Sequence, residues 1–476
     1  MAGLTIIHTR GKSPLPGPTF SGSARRPLFQ HVGTSDEPQH SYGWLSQTLA
    51  FSTFLMLVAF YVALPSLKFG GQPLRGIIAI AVLTILPLAC PKIAQAALRK
   101  YWPLIALAVA LCVIGVFVSL ANRTPLDVII QTLLEVHLQV VILMLVAGML
   151  AEICGARLCM WAIVAVICAS AAVALLQMFG ADFAWDLRRS LGPFAKEELH
   201  PNIVDRRPSG LSYSPIQLST QLCLAFAVFA AVRHSERKRA HATSSADPAI
   251  FAALLVLVVG SIAVATRSPI LGGVIFLCGY AMLRRRSWLP VAILFGALLL
   301  YFAWPLIMSF VESEAPRVLR TDDKSAAARS VFAYYGVRLF IDNPLGYGFG
   351  FQPADMWATY WPDLYFMRGS RGTQEHTLHN YLLSMINIYG VGILLIAPLV
   401  VRLLVRASPY LIFFVPYFVH ILFHNSGPFF SDTILWFVIA AIGAATAQTT
   451  HQGLRRPHSP LPRLDRAPFA MAAGKR

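Results

Sequence analysis

Three arginines and two pairs of histidines are the side chains in this sequence whose type and spacing could do chemistry. Arg207 stands in Arg206-Arg207-Pro208-Ser209-Gly210, Arg267 in Thr266-Arg267-Ser268-Pro269, and Arg329 opens a stretch that runs to Ile341. A guanidinium fork presents its donors in a geometry that grips two phosphate oxygens at once, so such arginines beside apolar runs point to an anion clamp. The plainer alternatives are local. Arg267 could be an interfacial arginine reaching for water. Arg206 and Arg207 could pair with Asp205, Glu197 or Glu198, and Arg329 with Asp322 or Asp323 at a helix start.

His376 and His379 are three apart and His420 and His424 are four apart, so each pair shares one face of a helix. A neutral imidazole can accept a hydroxyl proton near neutral pH, which is general-base work. Asn380 lies beside His379. Hydrogen bonding to loop backbone is the bland alternative for the first pair, and packing around an outer loop is expected of the second. Four histidines at one surface would also suit a metal such as zinc, although no glutamate stands at the helix spacing of a zinc-protease motif. Glu135 and His137 face different sides of one helix and read as helix–helix hydrogen bonders. Asn343-Pro344-Leu345-Gly346-Tyr347-Gly348 is turn chemistry. It has no strand-to-helix context, so its glycines are not read as a nucleotide loop.

These groups need elements to hold them. The 476 residues are 56% hydrophobic and 13% charged, with a mean hydropathy of +0.61. A soluble chain carries roughly twice that charged fraction, and here apolar runs of about 20 residues recur from end to end. The expected fold class is an all-α polytopic membrane protein, because lipid leaves an open sheet edge unsatisfied. Twelve spans are predicted, at 44–64, 74–90, 102–121, 126–151, 157–180, 213–232, 249–266, 268–283, 288–311, 377–401, 409–424 and 430–449. The formal charge of +17 is spread in short clusters between them: Lys92, Arg99-Lys100, Arg233 to Arg239, Arg284 to Arg286, and Arg402 with Arg406. That is the positive-inside pattern and not a nucleic-acid patch. The bilayer is the expected partner, and nucleic acid is not.

With both termini cytoplasmic, every basic cluster falls inside. Segments 181–212 and 312–376 are then forced outside, and the arginines and histidines above gather at the outer face. Ser330 to Ile341 reads as an amphipathic helix that turns Arg329, Phe332 or Tyr335, and Leu339 along related faces. Residues 44–449 form one transmembrane domain. Residues 1–43, which lack the apolar core of a signal peptide, and 450–476 read as disordered cytoplasmic tails. The seven cysteines lie in or beside predicted helices, and Cys154 and Cys159 read as packing residues.

Four segments, in this order and topology, resemble the O-antigen ligase and polymerase superfamily of bacterial membrane glycosyltransferases. They are Arg207-Pro208-Ser209-Gly210 before a span, Thr266-Arg267-Ser268 at an outer turn, Arg329 followed by Asp342 to Gly348, and His379-Asn380-Tyr381-Leu382 leading to Tyr389-Gly390-Val391-Gly392. The resemblance covers mainly residues 205–400. Ser214-Pro215-Ile216-Gln217 departs from it, standing where an asparagine often follows. The resemblance implies a GT-C-like fold in the bacterial inner membrane, with a large periplasmic loop. The implied donor is a glycan on undecaprenyl diphosphate, and the acceptor is lipid A-core or a growing polysaccharide. Transfer would invert the anomeric centre and need neither metal nor nucleotide sugar. Arg267 and Arg329 are implied as the diphosphate clamp and His379 as the catalytic base or the residue that orients the acceptor. Arg207, Tyr335, His376 and Asn380 complete the expected substrate-binding set. The alternatives are a lipid-linked oligosaccharide flippase, in which the arginines hold an anionic lipid without chemistry, and a histidine-lined metal transporter.

Overall fold

In a computed structural model the described residues are 43–64, 67–69, 72–192, 207–240, 247–284, 324–367, 370 and 378–454. Among them a two-residue antiparallel ladder, Lys68–Phe69 on Gln72–Pro73, is the only departure from helices and turns. The helices are α1 (Trp44–Ala63), α2 (Leu74–Ala89), α3 (Pro91–Ala121), α4 (Leu126–Cys154), α5 (Ala156–Met178) and α6 (Asp182–Ser190). They continue as α7 (Pro215–Arg239), α8 (Pro248–Ala263), α9 (Ser268–Arg284), α10 (Lys324–Asp342) and α11 (Pro353–Leu364). The last four are α12 (Tyr381–Tyr389), α13 (Ala397–Leu411), α14 (Val415–Ile421) and α15 (Ile434–Leu454). Among the described residues six helical segments are long and apolar enough to cross a membrane: α1, α3, α4, α5, α7 and the run Ala397–Ile421. Five shorter apolar segments lie at α2, α8, α9, Tyr381–Leu395 and Ile434–Thr446. The chain is a helical membrane protein. The span expected at 288–311 lies outside the described residues.

The hub is α7, which is buried along most of its length and packs against α5, α8, α14 and α15. A helix that is apolar all round belongs inside a bundle, and its small residues Ala225, Ala227, Ala230 and Ala231 let neighbours approach closely. Its start is set by Ser214, whose Oγ accepts from the Gln217 N–H at 3.2 Å, and by Pro215 in the first turn. Its other end carries Arg237-Lys238-Arg239, which suits the negative end of the helix dipole. Two contacts fix the direction of α14. Thr220 meets His420 at 3.1 Å near the start of α7. Ser235 meets Tyr410 at 3.1 Å near its finish. The approach into α14 therefore runs antiparallel to α7.

Several expected boundaries move. Where one span was read over 377–401, α12 stops at Gly390 and a 3-10 stretch, Gly390–Leu395, follows. Gly390 has φ +58, a left-handed conformation that glycine adopts at little cost and that ends helices. The break expected between 401 and 409 is instead the middle of α13, with Arg402 exposed and Leu403 buried on its amphipathic surface. Beyond it α14 ends at Ile421, so His424 lies in the turn past the span rather than inside it. Helix α3 starts at Pro91, well before the expected 102, and Lys100 pairs with Glu152 of α4. Helix α7 runs on from 232 through its basic residues to Arg239. A π-helical stretch, Leu133–Leu138, interrupts α4. His137 there is buried and meets the Tyr389 hydroxyl at 3.3 Å, while Glu135 accepts from Gln131 on the exposed side.

The described part of 312–376 is a small helical unit with a core of its own. Val331, Phe332, Tyr335 and Leu339 of α10 pack on Trp357, Tyr360 and Leu364 of α11 and on Leu378. Phe332, Tyr335 and Leu339 share the buried face, as their spacing predicts.

Candidate functional site

Arg207 is delivered by a loop that is fastened at nearly every residue. Gln177 of α5 accepts from the Ser209 and Gly210 N–H groups at 3.1 and 2.9 Å. Its amide donates to the Gly210 carbonyl at 3.3 Å. Ser170 accepts from the Leu211 N–H at 2.9 Å. Arg188 of α6 is buried and donates through Nε to the Ser212 carbonyl at 2.9 Å. Gly210 must be glycine, since its φ is +61 and a Cβ there would lie 2.0 Å from the Ser170 carbonyl oxygen. From this platform Arg207 Nη2 donates to the carbonyls of Val264 and Ala265 at 3.4 and 3.3 Å. Those carbonyls belong to the end of α8, where helical partners run out.

The turn between α8 and α9 is equally tight. Ala265 has φ +53, and Thr266 shares a hydrogen bond with Ser219 of α7 at 2.6 Å. Arg267 is exposed, whereas Ser268 beside it is buried. Ser268 Oγ lies 2.9 Å from His420 Nδ1 and 3.4 Å from His424 Nε2. The two imidazoles sit with ring centres 4.3 Å apart.

His424 is where the elements converge. It is 4% exposed. Burial holds its pKa well below the usual histidine value, helped by the charges of His420, Arg329, His379 and Arg207. None of these perturbing groups is acidic. Arg329, in the first turns of α10, lies over the Phe423 ring at 5.7 Å. His379, just before α12, meets Phe332 edge-on at 5.0 Å. The loop before α7, the turn before α9, the start of α10, the approach to α12 and the turn after α14 thus meet at one end of the bundle. A cluster of positive groups around a buried neutral imidazole is an environment for an anion.

Of the residues singled out in the sequence, the structure brings Arg207, Arg329 and His379 to one place. Arg267 stands at the exposed rim, tied to the cluster through Ser268. Asn380 caps α12, its Oδ1 accepting from the Leu383 N–H at 3.1 Å. Tyr335 is a core residue of the α10–α11 unit and donates to the Pro353 carbonyl at 2.6 Å. Burial, with Tyr347 and Asp355 nearby, raises its pKa further. His376 lies outside the described residues. His420, His424 and Ser268 are the members that the sequence placed in packing or passed over; the four-residue spacing of the two histidines was the available signal. Among the described residues no group of three or more His, Cys, Asp or Glu side chains is arranged to hold a metal ion.

The segment Asn343–Gly348 is a joint. Its Tyr347 and Gly348 N–H groups donate to the Asn387 and Ile388 carbonyls at 2.7 and 3.0 Å. The Val391 N–H returns the contact to Pro344 at 2.8 Å. Ser119 of α3 accepts from the Phe349 N–H at 2.7 Å. This joint locks α10, which carries Arg329, to α12, which follows His379. No family model, curated protein or solved structure matches this chain.

Proposed function

We propose that this protein is an inner-membrane glycosyltransferase that moves a glycan from undecaprenyl diphosphate to a hydroxyl acceptor at the periplasmic face, as an O-antigen ligase or polymerase. The observation that carries this reading is the convergence of Arg207, Arg329 and His379 on one buried imidazole at one end of a membrane bundle. The leaving diphosphate gains charge as the anomeric bond breaks, and fixed guanidinium groups in a water-poor site stabilise that charge. Arg329 and the rim residue Arg267 form the clamp, and Arg207 extends it. The acceptor hydroxyl attacks from the opposite face with inversion, and His379 orients or deprotonates it. The lipid tail lies in a groove between spans. On this reading twelve spans carry both termini in the cytoplasm, this end of the bundle faces the periplasm and the basic clusters lie inside, as the positive-inside rule favours.

The test is chemical. Purified protein in lipid nanodiscs receives a polyprenyl-diphosphate glycan and then an acceptor. Release of polyprenyl diphosphate only when acceptor is present supports the transferase. Movement of intact lipid across the bilayer without release supports the flippase instead. Activity should survive EDTA; loss in EDTA with recovery in zinc would favour the metal reading. His379→Ala should abolish transfer while leaving diphosphate binding largely intact.

A further inference from the structure

We propose that His424, through Nδ1, is the group that takes the proton from the attacking acceptor hydroxyl, and that Ser268 and His420 hold it in the tautomer that allows this. The inference rests on the transferase reading and deepens it, leaving His379 to orient the acceptor.

The hydrogen-bond chain has a direction. Thr220 donates its hydroxyl proton to the Ile216 carbonyl one turn earlier, at 3.1 Å. Its oxygen is then an acceptor for His420 Nε2, at 3.1 Å. A neutral His420 protonated on Nε2 has its lone pair on Nδ1. That lone pair accepts from Ser268 at 2.9 Å. The Ser268 oxygen, its proton used, accepts from His424 Nε2 at 3.4 Å, the longest link. The lone pair left over is on His424 Nδ1, and this buried atom has no hydrogen-bond partner among the described residues.

A buried acceptor without a donor carries a desolvation cost that a bound ligand group can relieve. A hydroxyl is the complementary group. Four titratable or charged groups face His424. They are His420 from α14, Arg329 from α10, His379 ahead of α12 and Arg207 from the loop before α7. While the site is empty, burial and the positive groups around it, Arg329 and Arg207 among them, keep the imidazole a weak base. A bound diphosphate offsets the positive charge and raises its basicity. The imidazole therefore becomes an effective base only after the donor is in place, which protects the activated sugar from water. In the step itself, the hydroxyl proton passes to Nδ1 and the acceptor oxygen bonds to the anomeric carbon. The bond from that carbon to the diphosphate breaks, and its electron pair leaves on the diphosphate oxygen. The proton on His424 then passes to solvent.

The test uses the full chain in nanodiscs with a polyprenyl-diphosphate glycan as donor. His424→Gln and His424→Asn should each lower kcat by about 10²- to 10⁴-fold, with the donor KM little changed. The acidic limb of the kcat–pH profile should vanish from the residual activity. Ser268→Ala should displace that limb rather than remove it. Either histidine variant, folded and with wild-type kcat and pH profile, would overturn the assignment while leaving the transferase reading intact. A wild type that releases no lipid diphosphate would sink both. A readout independent of the variants is ¹⁵N NMR of histidine-labelled wild type, which should show His424 protonated on Nε2. Inorganic pyrophosphate should raise its pKa by about 1 pH unit or more. The opposite tautomer, or no response to pyrophosphate, also overturns it.

Discussion

Gly390 and Leu345 meet backbone to backbone. A Cβ on Gly390 would lie 2.1 Å from both atoms of the Leu345 carbonyl, at a residue whose φ is +58. Gly180 also has a positive φ, +78, but opens onto space. Gly390→Ala therefore combines backbone strain with a steric clash at the joint between α10 and α12, whereas Gly180→Ala carries strain of about 1–2 kcal/mol alone. Gly390→Ala is expected to lose most monodisperse protein on size exclusion, and Gly180→Ala to keep it. Equal yields would show that the joint is soft.

Arg329→Lys and Arg267→Lys should lower transfer by roughly ten- to a thousandfold, the range for losing a fixed donor at a developing charge. Lysine keeps the charge but not the fork. Arg207→Lys should lower both turnover and Tm, because its Nη2 also braces the Val264 and Ala265 carbonyls. Normal turnover in folded Arg329→Lys would remove the clamp.

Asp432 offers a pH test. It lies in the turn before α15 and accepts from the Tyr417 hydroxyl at 2.7 Å. Burial pushes its carboxyl up from 3.8 to about 7, against the pull of that hydroxyl. Between those two values the folded state holds a proton that the unfolded chain has lost. The stability it contributes is therefore full at low pH and is lost as pH rises through about 7. Asparagine cannot ionise. Thermal scans of Asp432→Asn should show its midpoint gaining on wild type by about 2 °C or more between pH 5 and pH 8. A difference independent of pH would mean that the carboxyl ionises as it does in water.

Sidedness can be read by cysteine labelling, provided that the probes are exposed. Ser235 and Ser370 sit in segments of opposite expected sidedness but are only 1% and 2% exposed. Phe366 is 88% exposed, and Ala240 is exposed at the end of α7. An impermeant thiol reagent applied outside intact cells should modify Phe366→Cys and spare Ala240→Cys. The reverse pattern would move the whole cationic site to the cytoplasmic side.

Hydropathy is a local property, and lipid demands it of each span separately, so the sequence alone determined that this is a helical membrane protein and where most helices lie. It also singled out Arg207, Arg329 and His379, because an arginine or a histidine beside an apolar run needs a reason wherever it ends up. The sequence could not decide which polar groups would meet. Gly390 ends a helix because its backbone is left-handed, with φ +58, whereas Arg402 and Arg406 lie on the surface of an amphipathic helix. Tyr335 and Asn380 stand beside residues of the site, yet one is spent on the α10–α11 core and the other on a helix cap. His420 and His424 looked like packing. They sit at the centre of the candidate site because α7 and α9 bring Thr220 and Ser268 to them across large gaps in sequence. Hydrogen bonds between helices depend on rotation and depth in the bundle, and tertiary packing alone sets both.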